Sequence, residues 1–163
     1  MKMIKKLFMV AVVFTSLFMF SACGGGNKEA NVEGTLEEIM TQVYAKVNEL
    51  GDEEKPMLAN MPVDSEGAEY YLGSADLDFK EALACEPMMG SIAHSTVLVR
   101  ANEGADIEAM KQTIKETVNP QKWICVGVAP EDVIVESKGD LVILIMVEDA
   151  NIRQMIQEGF AGL

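Results

Sequence analysis

The chain has 163 residues, of which 13 are Lys or Arg, 26 are Asp or Glu and 49% are apolar, giving a formal net charge of −13. This length is typical of one domain, and the apolar content is sufficient for a hydrophobic core, which argues against wholesale disorder. The acidic balance argues against nucleic acid as a partner, because its phosphates would be repelled. Three cysteines are too few for a small domain built on a disulfide framework.

The N-terminal segment has the three-part pattern of a secretory signal peptide. Three lysines precede the apolar run Leu7–Phe20, and two small residues separate that run from Cys23. The segment Phe20–Cys23 resembles the lipobox of bacterial lipoproteins, in which the Cys thiol receives a diacylglyceryl group and the signal is cleaved before it. We therefore predict a cleaved signal peptide over residues 1–22, a lipidated Cys23 and a flexible tether over residues 23–34.

The alternative for this segment is an uncleaved membrane-spanning anchor. The 14 residues of the apolar run would extend only ~21 Å as a helix, which is short of the hydrocarbon core of a bilayer. Either interpretation places the rest of the chain outside the cytoplasm, held at the cell membrane. Removal of residues 1–22 leaves 10 basic and 26 acidic side chains, a net charge of −16. Besides the membrane, the expected partner is therefore an envelope protein or a basic ligand.

The first half of the remaining chain begins with a helix signal. A capping box at Thr35–Glu38 opens an amphipathic helix whose apolar residues recur at helical spacing as far as Leu50. The acidic segment Asp52–Gly67 contains two prolines and is predicted as a connection, while Glu69–Gly73 has no decisive pattern. We predict a short helix over Asp76–Ala84, with its first residue as the N-cap.

The second half alternates strand and helix patterns. We predict a strand over Ile92–Arg100, a helix over Ile107–Val118 and a short strand over Trp123–Val128. A hairpin follows, with strands Val133–Val135 and Leu141–Val147 joined by a turn at Lys138-Gly139. The last predicted element is a helix over Ile152–Phe160. The uninterrupted apolar run Leu141–Val147 indicates a central strand or one covered on both faces. The expected fold is α+β, a small, mostly antiparallel sheet with helices packed on it, forming a single domain over residues 35–163.

Several of these segments together resemble one family of bacterial lipoproteins, grouped as domain of unknown function 4358. The matching segments are Tyr70–Gly73, Leu77–Met89, Ser91–His94, Val97–Ala101, Val133–Val135 with Gly139, and Leu141–Ile145. The resemblance covers roughly Leu36–Phe160 and departs from the family pattern between Asn119 and Pro130, where a Tyr-Pro element is expected. It implies a lipoprotein location and a shared fold, and it brings no activity with it.

The sequence contains no recognisable catalytic or metal motif. His94 is the sole imidazole, and no Gly-x-Ser-x-Gly elbow is present, so we interpret it as a structural, hydrogen-bonded residue. One His and two further Cys do not supply zinc-ligand spacing, and we expect no metal site and no cofactor. The carboxylate clusters Asp64-Ser65-Glu66 and Asp76-Leu77-Asp78 lack calcium-loop spacing and are predicted as solvated surface, with weak calcium binding left open.

Two cysteines remain besides the predicted lipid attachment site. Cys85 and Cys125 are interpreted as separate buried thiols. The alternatives are a disulfide between them, which an oxidising location permits, and a reactive thiol. Their spacing is not that of a Cys-x-x-Cys redox motif.

These features favour a membrane-anchored module that binds a protein or ligand and is not an enzyme. The alternative is a cell-envelope hydrolase whose site is assembled from carboxylates that meet only in space. A concave pocket holding carboxylates of perturbed pKa would favour the hydrolase. A solute-binding lipoprotein of a transporter fits less well, because such proteins have two lobes and longer chains.

Overall fold

The computed structural model describes residues 30–163, and a five-stranded antiparallel sheet forms the centre of this part of the chain. The strands are β1 (Leu58–Val63), β2 (Phe79–Pro87), β3 (His94–Ala101), β4 (Ile134–Lys138) and β5 (Leu141–Val147). The helices are α1 (Leu36–Val43), α2 (Ala45–Asn48), α3 (Ala68–Leu72), α4 (Ile107–Thr117) and α5 (Ala150–Ala161). The predicted α+β fold class is confirmed. The predicted signal peptide and Cys23 lie outside the described residues.

The strand order across the sheet is β1-β2-β3-β5-β4, and each neighbouring pair is antiparallel. β5 lies inside the sheet and all seven of its residues are buried, as its apolar run predicts. Its alternate side chains enter two cores. Ile143 and Ile145 pack against α1, α2 and α5 on one face, while Val142 and Leu144 pack against α4 on the other.

The capping box at the start of α1 is confirmed. Glu38 N donates to Thr35 Oγ1 at 3.3 Å, and Thr35 N donates to Glu38 Oε2 at 2.9 Å. The predicted continuous helix is wrong at Tyr44, where the backbone leaves helical geometry and separates α1 from α2. Next to this break, α5 approaches closely, since a Cβ added at Gly159 would lie 2.1 Å from the carbonyl oxygen of Val43. Glycine is therefore required at that crossing.

Three predictions for irregular or short elements are wrong. Asp76–Ala84 is not a helix, because pairing with β1 and β3 draws residues from Phe79 onward into β2. Asp52–Gly67 contains β1, and the proline of this strand is tolerated because β1 is at the edge of the sheet. Trp123–Val128 is not a strand, since the chain there follows an irregular path with a positive φ of 62° at Cys125.

The remaining elements agree with the sequence patterns. The predicted strand over Ile92–Arg100 corresponds to β3, and the predicted helix over Ile107–Val118 corresponds to α4. The hairpin of β4 and β5 and the final helix α5 are also confirmed. None of the helices formed by residues 30–163 combines the length and apolar character needed to cross a membrane.

Candidate functional site

The N-terminal segment of the described chain is fastened to one end of the sheet by Arg100. Its guanidinium donates to the carbonyl oxygens of Val32 and Gly34 at 2.9 and 2.8 Å. It also donates to Asp140 Oδ2 at 2.9 Å and to Glu81 Oε1 at 2.8 Å. We call these five residues the N-terminal clamp. Residues 30–34, which the sequence assigns to the tether, are thus held on the domain at the C-terminal end of β3.

A second charged cluster is buried under the aromatic side chains of α3 and the loop after α4. Lys122 Nζ lies 2.6 Å from Glu86 Oε1, and the two side chains are only 3% and 7% exposed. Ser95 Oγ donates to the same carboxylate oxygen at 2.5 Å. Three rings surround the ammonium group, with centroids at 4.4, 5.1 and 5.4 Å: Tyr70, Tyr71 and Trp123. Burial lowers the pKa of Lys122, against the opposing effect of Glu86.

This cluster has the composition of a Ser-Lys nucleophile pair but not its geometry. Lys122 Nζ is 3.4 Å from Ser95 Oγ, and the Ser95 hydroxyl gives its proton to Glu86 instead of presenting it to a basic amine. Ser95 is also 0% exposed, so a substrate carbonyl has no access to its oxygen. The cluster therefore functions as a satisfied structural ion pair.

His94 occupies a buried position beneath α1 and α2. The Tyr44 hydroxyl lies 2.7 Å from His94 Nε2 and donates to Thr96 Oγ1 at 2.7 Å, which is consistent with a proton on Nε2. Burial lowers the pKa of His94 to about 4. This neutral, hydrogen-bonded histidine has the environment that a structural role requires.

The neutral state of His94 predicts an acid-dependent loss of stability. In the unfolded chain the imidazole has an ordinary pKa of 6.5, and in the folded protein its pKa is about 4. Between these values the unfolded state binds the extra proton, so stability falls as pH falls. Relative to His94→Gln, the wild-type protein should lose ~1 kcal/mol between pH 7.5 and 5.5 in urea titrations. Equal pH dependence of the two proteins would contradict a buried neutral imidazole.

The two cysteines of the described chain are free and lie in different environments. Cys85 is buried in the core beneath α1 and α2, and burial raises its pKa to about 11. Cys125 is exposed, and its neighbours Trp123 and Val126 contact the core on the opposite face of the sheet. The alternative of a disulfide between them is therefore not formed, and the expectation of two buried thiols is wrong for Cys125.

This difference predicts selective chemical labelling. A maleimide added to the native protein should modify Cys125 within minutes, because its thiol is exposed, and should leave Cys85 unmodified, because that thiol is buried and protonated. Unfolding in urea should expose the second site. Intact-mass analysis before and after unfolding measures both events, and Cys125→Ser is the control that removes the native label. Equal native labelling of both cysteines would contradict the structure.

Exposed apolar side chains lie at the end of the sheet opposite the N-terminal clamp. Leu58 pairs with Pro87, which brings Met57, just before β1, beside Met88, just after β2. The backbone of Ile124 donates to the Gly90 carbonyl at 2.8 Å, so this side chain also reaches that end. We call the four exposed residues of this region the apolar tip: Met57, Met88, Met89 and Ile124.

A groove runs from this tip between the edge strand β1 and the helices α1 and α2. Its volume is about 630 Å³. Its apolar walls are Met40, Val47, Pro56, Met57 and Leu58. Tyr44 and Cys85 also line it, while Asp52 and Lys55 form an ion pair of 2.8 Å at its rim. Lys55 lowers the pKa of Asp52, which is opposite to the raised pKa that a catalytic acid needs.

The predicted surface carboxylate clusters stabilise turns. Asp64 Oδ1 accepts from Gly67 N at 2.8 Å, and Asp78 Oδ1 accepts from Asn102 Nδ2 at 2.7 Å. Across residues 30–163 no group of three or more His, Cys, Asp or Glu side chains is arranged to hold a metal ion. In the same residues every buried side-chain N or O atom has a hydrogen-bond partner.

Comparison with known proteins found no matching family model, curated protein or solved structure. The function must therefore be argued from the clamp, the tip and the groove.

Proposed function

We propose that this protein is a lipoprotein, anchored through diacylglyceryl-Cys23 to the outer face of the cell membrane, whose domain is a non-enzymatic binding module. We also propose that it belongs with the lipoproteins of domain of unknown function 4358, which its sequence resembles. The observation that carries the proposed role is the placement of the N-terminal clamp and the apolar tip at opposite ends of one sheet.

The clamp limits how far the domain can stand from a lipid on Cys23. The clamp holds the chain from Val32 onward, and nine residues, 23–31, precede that point. Covalent geometry allows nine residues to span at most ~32 Å. A lipid anchor at Cys23 would therefore keep the Arg100 end of the sheet near the membrane surface.

We infer that the apolar tip faces away from the membrane, because the tether joins the domain at the opposite end of the sheet. Strand β3 carries Arg100 near one end and His94 at the other, a separation of ~20 Å along the strand. The tip lies beyond the His94 end, beside the end of β2. Exposed methionines adapt to varied apolar surfaces, so this region is suited to a protein partner in the envelope.

The alternative of an envelope hydrolase has one observation in its favour, the approach of Lys122 to Ser95. The full burial of Ser95 and the lowered pKa of Asp52 in the groove both weigh against it. We therefore rank the binding module above the hydrolase. Loss of a hydrolytic activity in Ser95→Ala, with folding intact, would reverse that order.

The lipid anchor is tested by replacing the attachment residue. Cys23→Ala should abolish incorporation of labelled palmitate. The variant should be found as the signal-bearing precursor or in the soluble fraction, and no longer as the lipidated protein of the membrane fraction. Cys125→Ser is the matched control and should behave as wild type, because its thiol belongs to the folded domain. Palmitate labelling that persists in Cys23→Ala would contradict the proposed anchor.

A further inference from the structure

We propose that the edge strand β1 binds an extended peptide segment of a partner protein as a sixth strand. An apolar side chain of that segment would occupy the groove between β1 and the helices α1 and α2. This inference rests on the proposed role as a binding module, and it does not depend on the lipid anchor. The ligand class is a peptide in β conformation with an apolar residue near basic ones.

Pro62 indicates which backbone groups of β1 face away from the sheet. Pro62 pairs with Leu83 in the antiparallel register, and proline has no N–H to donate to β2. Backbone groups alternate along an antiparallel strand between facing the partner and facing away. If the backbone nitrogen of Pro62 faces away from β2, the N–H groups of Leu58 and Asn60 also face away, since these residues precede Pro62 by four and two positions.

The tight hairpin of β4 and β5 gives an independent check of that parity. Its two-residue turn lies between Lys138 and Leu141, which form the closing hydrogen-bonded pair. Backbone groups alternate in direction along each strand, and hydrogen-bonded pairs face each other. When this alternation is followed from β4 through β5, β3 and β2 to β1, the N–H groups of Leu58 and Asn60 face outward. Within residues 30–163, no backbone hydrogen bond outside the helices and strands involves either residue.

The two edges of the sheet differ in how they are protected. β4 carries Glu136 and Lys138, and the Lys138 ammonium donates to the carbonyl oxygens of Ala161 and Leu163 at the end of α5. Charged side chains on an edge oppose pairing with another strand. β1 has the sequence Leu-Ala-Asn-Met-Pro-Val and contains no charge. The open edge is therefore β1, and Pro62 limits pairing to its first half.

The groove lies beside this open half of β1. Leu58 and Asn60 lie on the same face of the sheet as Cys85, with which Asn60 pairs, and all three line the groove. A strand added to β1 would project alternate side chains toward this face. The volume of about 630 Å³ lies within the range of ligand pockets. One or two apolar side chains of a bound peptide would fit within it.

The charge around the groove indicates the flanking residues of the peptide. Glu53 and Glu54 are exposed in the loop that leads to β1, next to the Asp52–Lys55 ion pair of the rim. A peptide with Lys or Arg beside its apolar residue would meet complementary charge. Its association should therefore weaken as salt is raised.

The test uses the full chain purified in detergent and a phage-displayed library of random octapeptides as the probe. We expect selected peptides to share one apolar residue with basic neighbours, relative to selection without the protein. Ser137→Pro removes an outward N–H from the other edge strand, β4, and should bind the selected peptides as wild type does. Asn60→Pro removes the outward N–H at position 60 of β1 and should weaken binding at least tenfold. This variant should fold, because Pro62 of the same strand already has its backbone nitrogen facing outward.

A second measurement holds even if Asn60→Pro fails to fold. In the wild-type protein, the amides of Leu58 and Asn60 should gain protection from hydrogen exchange when a selected peptide is added. No enrichment, equal binding by Asn60→Pro, or unchanged exchange at both amides would overturn strand addition. A protein partner crosslinked at the apolar tip without protection of these amides would also overturn it, while leaving the binding module standing.

Discussion

Lys122→Met is expected to destabilise the domain by ~3 kcal/mol or more, because it leaves the buried carboxylate of Glu86 without its counter-charge. The pair is almost fully removed from water, so solvent cannot compensate for the lost ammonium group. Contacts of Lys122 with the rings of Tyr70 and Tyr71 would be lost as well. The free energy of unfolding from urea titrations measures the effect.

Two further variants separate charge from packing. The double variant Lys122→Met with Glu86→Gln removes both charges and keeps an acceptor for Ser95, so it should recover at least half of the lost stability. Lys46→Met disrupts the exposed ion pair with Glu158 and should change stability by less than ~1 kcal/mol. A loss below 1 kcal/mol in Lys122→Met would show that the buried pair is not formed in solution.

Arg100→Ala is expected to destabilise the domain by ~2–4 kcal/mol and to release residues 30–34 from the sheet. One guanidinium satisfies two main-chain carbonyls and two carboxylates, and alanine satisfies none of them. The Val32 amide, which donates to Asp140 Oδ1 at 3.3 Å, should lose its protection from hydrogen exchange. Limited proteolysis should then cut before Leu36 at lower protease concentrations than in the wild-type protein.

The chain provides a matched control for this variant. Arg153 also donates to two main-chain carbonyls, those of Val147 and Glu148, and pairs with Asp132 at 2.8 Å. It lies at the other end of the sheet. Arg153→Ala should lose stability by a similar mechanism but should leave the exchange of the Val32 amide unchanged. Unchanged protection of Val32 in Arg100→Ala would contradict the clamp.

The elements that could be predicted from the sequence are those specified by local patterns. The helix α4 has apolar residues at helical spacing and an Asp106 cap, and the β4–β5 hairpin has a glycine at a positive φ of 58°. β2 could not be predicted in the same way. Its central residues are buried on both faces, Ala82 and Ala84 on one and Leu83 and Cys85 on the other, so the strand shows no alternation of apolar and polar residues.

The sites depend on contacts that no local pattern encodes. Lys122 meets Glu86 across 36 positions of sequence, and Arg100 meets Val32 across 68. The structural role of His94 could be expected from its isolation, but its partner Tyr44 could not, since 50 positions separate them. The buried Met40 could be expected from the helical spacing of α1, but nothing in the sequence brings the exposed Met57 and Met88 to one end of the sheet.

The orientation of the domain on the membrane tests the central proposal most directly. Energy transfer to acceptor-labelled lipid headgroups would be measured for the full-length lipidated protein in liposomes. One donor is attached to the exposed thiol of Cys125, near the apolar tip. The other is attached to Glu103→Cys in a Cys125→Ser background, on the turn beside the clamp end. The chain from Gly24 onward, which lacks both the signal segment and Cys23, provides the unanchored reference for both donors.

The proposed anchoring predicts more efficient transfer from position 103 than from position 125, because the Arg100 end of the sheet would lie near the lipid. Both signals should fall to the background level in the chain from Gly24 onward. Equal transfer from the two positions, or more efficient transfer from position 125, would contradict a binding module that faces away from the membrane.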